Sequence, residues 1–314
     1  MGTSSSVLTN KKCRSFFSSQ KGAALIVSAY YRIPSKNTHE FYMQHIRRFL
    51  CTVQGPLVFF TSKELVDDLV ALRPLALRAL TRFVVLDVVQ WDAWMHGSKF
   101  WDRQVARDVE KYHTPQLAAV WFMKHKFVLR AARAMNLDDN VPIVWCDAGA
   151  LRNDAWNTHA TTLSSRAGFH LAAKKNTDAN TNADAVWVGE LQTLATSTTT
   201  FRVFPCVHLA GAVLGGTVRA WKRFEAAYAR TLTKYDSAGV SASSDQYVMS
   251  TMALQEPGIV NLVSVNSSAI QSPDPWFALL CVLASAPPAP PALLTPASTA
   301  SLLPAATLCV CACL

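Results

Sequence analysis

The sequence predicts an α/β fold built on one mixed, mainly parallel sheet flanked by helices. Two observations carry this. Short, nearly continuous apolar runs recur along the chain, as expected for strands buried on both faces. Segments with helical spacing stand between them, which argues for parallel βαβ units rather than a sandwich. Half of the 314 residues are hydrophobic and 16% are charged, enough material for a substantial core.

In chain order, Ala23-Ala24-Leu25-Ile26-Val27-Ser28-Ala29-Tyr30-Tyr31 is the first strand. The loop Arg32–Thr38 follows, then a helix from His39 to Cys51 with Phe41, His45 and Phe49 beside Met43, Ile46 and Leu50 on a broad apolar face. Gly55-Pro56 precedes the second strand, Leu57–Thr61; Ser62 is placed to cap a helix over Lys63–Leu72. Phe83–Val88 reads as the third strand, and residues 90–114 as a long excursion from the sheet. Thr114-Pro115 opens the clearest helix, with Leu117, Val120, Trp121, Val128, Ala131 and Met135 at helical spacing. The next strand, Val141–Cys146, ends at Asp147-Ala148-Gly149. Further on, strands are expected at Gly168–Ala173, Val186–Val188, Val207–Gly216 and Gly258–Val265. Helices are expected at Thr217–Lys234 and from Ser243-Ser244-Asp245-Gln246 to Leu254.

The folded domain is expected to span residues 23–280, between two unstructured ends. Residues 1–22 are serine-rich, with Lys11, Lys12, Arg14 and Lys21 and no acid. They read as a disordered leader, with N-myristoylation at Gly2 and weak membrane association, or organelle targeting, as alternatives. Residues 281–314 are an Ala/Pro-rich low-complexity tail. The scattered cysteines fit a reducing compartment and a cytoplasmic location. No run of 18 apolar residues occurs, so no membrane span is expected.

The net charge is +9. That bias suits an anionic ligand such as a nucleotide diphosphate. Nucleic acid is not expected as a partner: the basic residues are scattered, with no zinc-finger spacing, RNP-type motif or basic helix.

Candidate chemistry sits where strands end. A carboxylate at such an edge, here Asp147, can hold a divalent metal or a sugar hydroxyl, and Gly149 permits close approach of a ligand; the plainer alternative for Asp-x-Gly is a turn. His208 with Gly211, Gly215 and Gly216, and Asp245-Gln246, form two further clusters. In this order within an α/β chain, the three clusters resemble a Rossmann-like nucleotide-sugar glycosyltransferase of the A-type fold.

At family level the chain resembles the HtrL/YibB-like family, which is assigned to the glycosyltransferases. The resemblance rests on Tyr30-Tyr31-x-Ile33-Pro34-Ser35-Lys36, Trp101 through Asp108, and His113-x-Pro115-x-Leu117 with Trp121 and Lys124. It continues in Val144–Gly149 with Arg152, Gly215-Gly216, and Ser244-Asp245-Gln246. It covers about residues 23–280. It implies transfer of a sugar from a nucleotide-sugar donor to a carbohydrate or lipid-linked acceptor. Tyr30, Lys36, Asp147, Gly149 and Arg152 would bind the donor, and Gly215, Gly216 and Gln246 would line the acceptor side. Asp147 would also act on the reaction centre through the metal–diphosphate, and Asp245 would be the general base. The metal, Mn²⁺ or Mg²⁺, would rest on Asp147, assisted by His208 or Asp154.

Three departures stand out. Asn37 stands where the family often has an aromatic residue or His, His45 where it often has Trp, and Asp147-Ala148-Gly149 lacks the second acid of an Asp-x-Asp motif. For Lys36 and Asp245 the plainer roles are a solvated loop lysine and a helix cap. His113 is expected to cap or pack, and Trp121 and Trp221 to be core aromatics. The alternative from another class is a catalytically silent A-type fold that binds carbohydrate or nucleotide.

Overall fold

The computed structural model describes residues 23–173, 182, 184–191, 209–264 and 274–284. The leader, the region around His208 and the tail beyond Ala284 lie outside the described residues. The fold is a Rossmann-like α/β sheet of seven strands. These are β1 (Leu25–Tyr30), β2 (Leu57–Thr61), β3 (Thr81–Val85), β4 (Pro142–Cys146), β5 (Val186–Glu190), β6 (Leu209–Thr217) and β7 (Val260–Ser264). Their order is β3-β2-β1-β4-β6-β5-β7. Neighbours pair in parallel except at β6, which runs antiparallel to both β4 and β5.

Helices cover both faces, which explains why the strands read as apolar runs rather than alternating ones. On one face Leu25, Val27, Val58, Phe60, Ile143 and Trp145 pack against α5 (Pro115–Met135), α7 (Val218–Ser237) and α8 (Asp245–Gln255). On the other, Ala24, Ile26, Leu57, Phe59, Val144 and Cys146 meet α1 (His39–Thr52), α2 (Val66–Leu72), α6 (Asn157–Ala173) and α9 (Ala278–Ala284). A single turn, α3 (Leu75–Arg78), and α4 (Ser98–Ala106) complete the helices among the described residues. The excursion expected at 90–114 contains a 3₁₀ turn, Asp92–His96, and α4, and it buries Trp91, Phe100 and Trp101.

Several boundaries depart from expectation. Residues 168–173, read as a strand, are the last turns of α6. Trp156, Ala160, Leu163 and Ala167 are buried at four- and three-residue spacing, so the helical period continues through Gly168. Ser62 does not cap α2: residues 62–65 form a turn in which Leu65 N–H donates to the Ser62 carbonyl, and the helix starts at Val66. Strand β3 begins at Thr81, two residues earlier than expected, and stops at Val85. Finally, the packed body continues past residue 280. Leu280, Cys281 and Leu283 of α9 are buried, and Thr162 Oγ1 donates to the Ala284 carbonyl at 3.2 Å. Among the described residues, no helix is long and apolar enough to cross a membrane.

Candidate functional site

From β1 the chain proceeds to β2 and β3 on one side of the sheet, whereas β4, its other neighbour, leads to β5 on the opposite side. The crevice beyond the carboxyl ends of β1 and β4 is therefore a topological switch point, where open α/β sheets bind ligands. A cavity of about 920 Å³ opens there. This is the size of a site for a small organic ligand.

Local capping sets the loops around it. Thr38 starts α1 by accepting from Phe41 N–H, and Thr114 starts α5 by accepting from Leu117 N–H. Thr114 Oγ1 also donates to the Pro34 carbonyl at 3.2 Å, tying the loop after β1 to the helix that floors the cavity. On the other side, Arg48 of α1 donates to the Leu151 carbonyl and pairs with Asp154, fixing the loop after β4. Asp154 is thus engaged at the surface and takes no part in the cavity.

The five residues assigned to the donor all line this cavity: Tyr30, Lys36, Asp147, Gly149 and Arg152. Tyr30 Oη lies 2.8 Å from His39 Nδ1, and burial pushes its phenol up to about 12, so it stays protonated. Lys36 is exposed at the rim, 5.6 Å over the Tyr112 ring. Arg152 pairs with Asp274 at 3.3 Å and stacks its guanidinium 4.9 Å from the centre of Phe277. A side chain at Gly149 would meet Tyr42 only at ordinary contact distance, so no neighbour demands a glycine there.

His45, noted from sequence only as a departure, is on the cavity wall. Burial, with Arg48 and Arg152 nearby, holds its imidazole below its usual pKa, and the Leu151 backbone opposes that shift. Both ring nitrogens are buried, so His45 shapes the wall rather than offering polar atoms to a ligand. His113 has the packing role expected of it: buried, paired with Asp108, and edge-on to Trp121 at 4.8 Å. Trp121 itself is part of the cavity lining, while Trp221 is fully buried and donates to the Ile143 carbonyl.

The floor holds a group that the pattern reading missed. Lys124 occupies the gap left in the apolar stripe of α5 between Trp121 and Val128, a core position at helical spacing. Its Nζ lies 2.9 Å from Asp245 Oδ2, 3.5 Å from Asp147 Oδ1 and 2.8 Å from the Gly211 carbonyl. Burial works against the ammonium, but Asp147 and Asp245 more than offset it and its pKa is raised. Burial pushes the Asp147 carboxyl above its usual range. Lys124 and the Trp145 Nε1–H, which donates to Oδ1 at 2.7 Å, oppose that shift, and Asp245 adds to it. Two carboxylates share one ammonium, and the excess negative charge falls on Asp147, the member open to the cavity.

Asp245, Gln246, Gly215 and Gly216 lie outside the cavity lining. Asp245 does not face the cavity; its side chain is 7% exposed and held against Lys124, so it is placed to orient the lysine rather than to reach an acceptor. It stands in the first turn of α8, where the helix dipole favours a carboxylate. Gln246 follows it and is likewise absent from the cavity lining. Gly215 and Gly216 pair with Val144 and Ile143, towards the far end of β4 from Asp147. A Cβ at Gly216 would press on Ala220 and Val186 at 3.2–3.3 Å, so this glycine serves helix–sheet packing. The glycine packed against the Lys124 cluster is Gly211, where a Cβ would stand 2.7 Å from Asp245 Oδ2.

The residues present do not fit a resident divalent ion. Of the two expected ligands, His208 lies outside the described residues and Asp147 is engaged by Lys124. The position between Asp147 and Asp245 is filled by the Lys124 ammonium. A second cation 4 Å away would meet repulsion of roughly 4 kcal/mol per unit charge at an effective dielectric of 20. Among the described residues no group of three His, Cys, Asp or Glu side chains gathers at metal-binding distance.

No family model matches the chain, and no curated protein matches it.

Proposed function

We propose that this protein is a glycosyltransferase of the A-type fold, moving a sugar from a nucleotide-sugar donor to a hydroxyl of a glycan or lipid-linked acceptor. The observation that carries the reading is the convergence of Tyr30 and Lys36 from the β1 edge with Asp147, Gly149 and Arg152 from the β4 edge on one switch-point cavity. Lys36, Arg32 and Arg152 at the rim favour the donor diphosphate. The wall made by Tyr30, His39, Tyr42 and His45 offers aromatic rings to the base and sugar. In the transfer, the acceptor oxygen bonds to the anomeric carbon as the bond from that carbon to the diphosphate oxygen breaks. The electron pair leaves with the nucleoside diphosphate, and the acceptor proton passes to Asp147, whose raised pKa suits a base.

The test is thermal stability of the protein against a panel of nucleotide sugars, followed by assay of any stabilising donor for sugar transfer to a mixed saccharide acceptor. A donor at 100 times its dissociation constant adds about 2.7 kcal/mol. Stabilisation by one donor, with transfer that is lost in Asp147→Asn, is the expected result; a panel with no stabilising donor sinks the reading.

A second reading, a silent nucleotide- or carbohydrate-binding module, is favoured by one observation: the expected base Asp245 is withdrawn from the cavity. Under it, a donor stabilises the protein but is neither transferred nor hydrolysed.

A further inference from the structure

We infer that Lys124 is the resident cation of this site: its ammonium occupies the place among Asp147, Asp245 and the Gly211 carbonyl where a divalent ion would lie, and the cavity binds its ligand without a metal. The three oxygens lie 3.5, 2.9 and 2.8 Å from Nζ. The ammonium donates a hydrogen bond to the Gly211 carbonyl, and the two carboxylates balance its charge as ion-pair partners. Mn²⁺ and Mg²⁺ ask instead for near-octahedral oxygen ligands much closer in, usually including several waters.

Three elements far apart in sequence are each shaped for this contact. Helix α5 brings a lysine to a stripe position otherwise filled by apolar side chains, where a charge persists only if paired. Strand β6 keeps a glycine where any Cβ would strike the Asp245 carboxylate. Helix α8 opens with Asp245 buried in its first turn. The other cationic side chains at the cavity, Arg32, Lys36 and Arg152, lie at its rim, and none of them pairs with Asp147 or Asp245: Lys36 sits over Tyr112, and Arg152 pairs with Asp274. The absent second acid after Asp147 has the same explanation. With an internal ammonium in place, another carboxylate would add unbalanced charge rather than a ligand.

The inference rests on the transferase reading only for its consequence that sugar transfer persists in EDTA. The metal question is tested separately, on the full chain stripped with EDTA and titrated with MnCl₂, reading bound Mn²⁺ by electron paramagnetic resonance and the thermal midpoint in parallel. Wild type is expected to show no stoichiometric site and an unmoved midpoint. Lys124→Ala leaves two carboxylates and a carbonyl around a vacated cation position, so it is expected to bind one Mn²⁺ and to gain thermal stability from it. Lys124→Ala combined with Asp245→Asn is expected to lose that site again. One Mn²⁺ bound by wild type and lost in Asp147→Asn overturns the inference, whatever Lys124→Ala does. So does a folded Lys124→Ala that binds no Mn²⁺. If Lys124→Ala is unfolded in EDTA, Mn²⁺ is expected to restore its fold, and failure to restore it overturns the inference as well.

Discussion

Among the described residues two lysine or arginine side chains are buried, Arg73 and Lys124, and their surroundings differ in kind. Arg73, 1% exposed, makes no ion pair with a described carboxylate. Its guanidinium donates to the carbonyls of Leu50 and Val53 at the end of α1 and to Thr81 Oγ1. Burial pushes it down to about 10, so it remains charged at neutral pH. Lys124 is held by two carboxylates and its pKa moves up. Arg73 ties off the orphan carbonyls of a helix end, away from the cavity. Lys124 gathers three elements at the cavity floor. Burial of a charge therefore does not mark a site; what marks it is compensation by opposite charge, with one carboxylate in excess and open to ligand.

The sharpest test of that contrast removes each cation in turn. Lys124→Met keeps the length of the side chain and leaves Asp245 buried without its counter-charge. The expected cost is about 3–5 kcal/mol, seen as a drop in the urea midpoint. Adding Asp245→Asn is expected to recover most of it, because the uncompensated charge is gone. If the double variant is no better than the single one, the cluster is not an electrostatic unit and the contrast fails.

Arg73→Met is expected to cost less, about 2 kcal/mol, since it removes charged hydrogen bonds to neutral acceptors. It has no carboxylate to strand, so no second substitution of an acid is expected to rescue it. Ligand-induced stabilisation is expected to survive in Arg73→Met and to vanish in Lys124→Met. An equal loss in both would make Lys124 merely another structural cation.

The reach of the sequence follows the same physics. Strands β1, β2 and β4 and helix α5 were legible because burial on both faces leaves continuous apolar runs, and because Thr114-Pro115 is a strong helix start. The five residues lining the cavity were legible because loops after β1 and β4 meet wherever those strands are adjacent and parallel. The position of the glycines was not legible because strand direction does not show in composition. In a parallel strand, Gly215-Gly216 would end at the site. In the antiparallel β6 it is the beginning of the strand, with Gly211, that lies there. The burial of Asp245 against Lys124 was not legible because its position in the first turn of α8 does not reveal which way the side chain points. Lys124 entered only as part of a motif, although a lysine in the apolar stripe of α5 was itself the signal.

The smallest expected effect separates the two members of the acidic pair. Asp245 balances Lys124, whereas Asp147 carries the excess charge, so Asp147→Asn is expected to leave stability unchanged or slightly higher at neutral pH. The side chain is 35% exposed, and solvent screening keeps the gain to at most about 1 kcal/mol. The sign follows from its raised pKa. Below 3.8, the ordinary value, the carboxyl is neutral in folded and unfolded chains alike; above it, the folded state retains the proton longer. The stability this contributes is present at low pH and lost as pH rises through the folded pKa. Asparagine is neutral throughout, so the gap between Asp147→Asn and wild type is expected to be closed at acid pH and to open as pH rises. Urea midpoints of both proteins between pH 4 and 7 measure it. A gap of the opposite sign at neutral pH would mean that Asp147 stabilises the fold. The cavity carboxylate would then belong with the structural contacts of Arg73 rather than with a site kept charged, at some cost in stability, for its ligand.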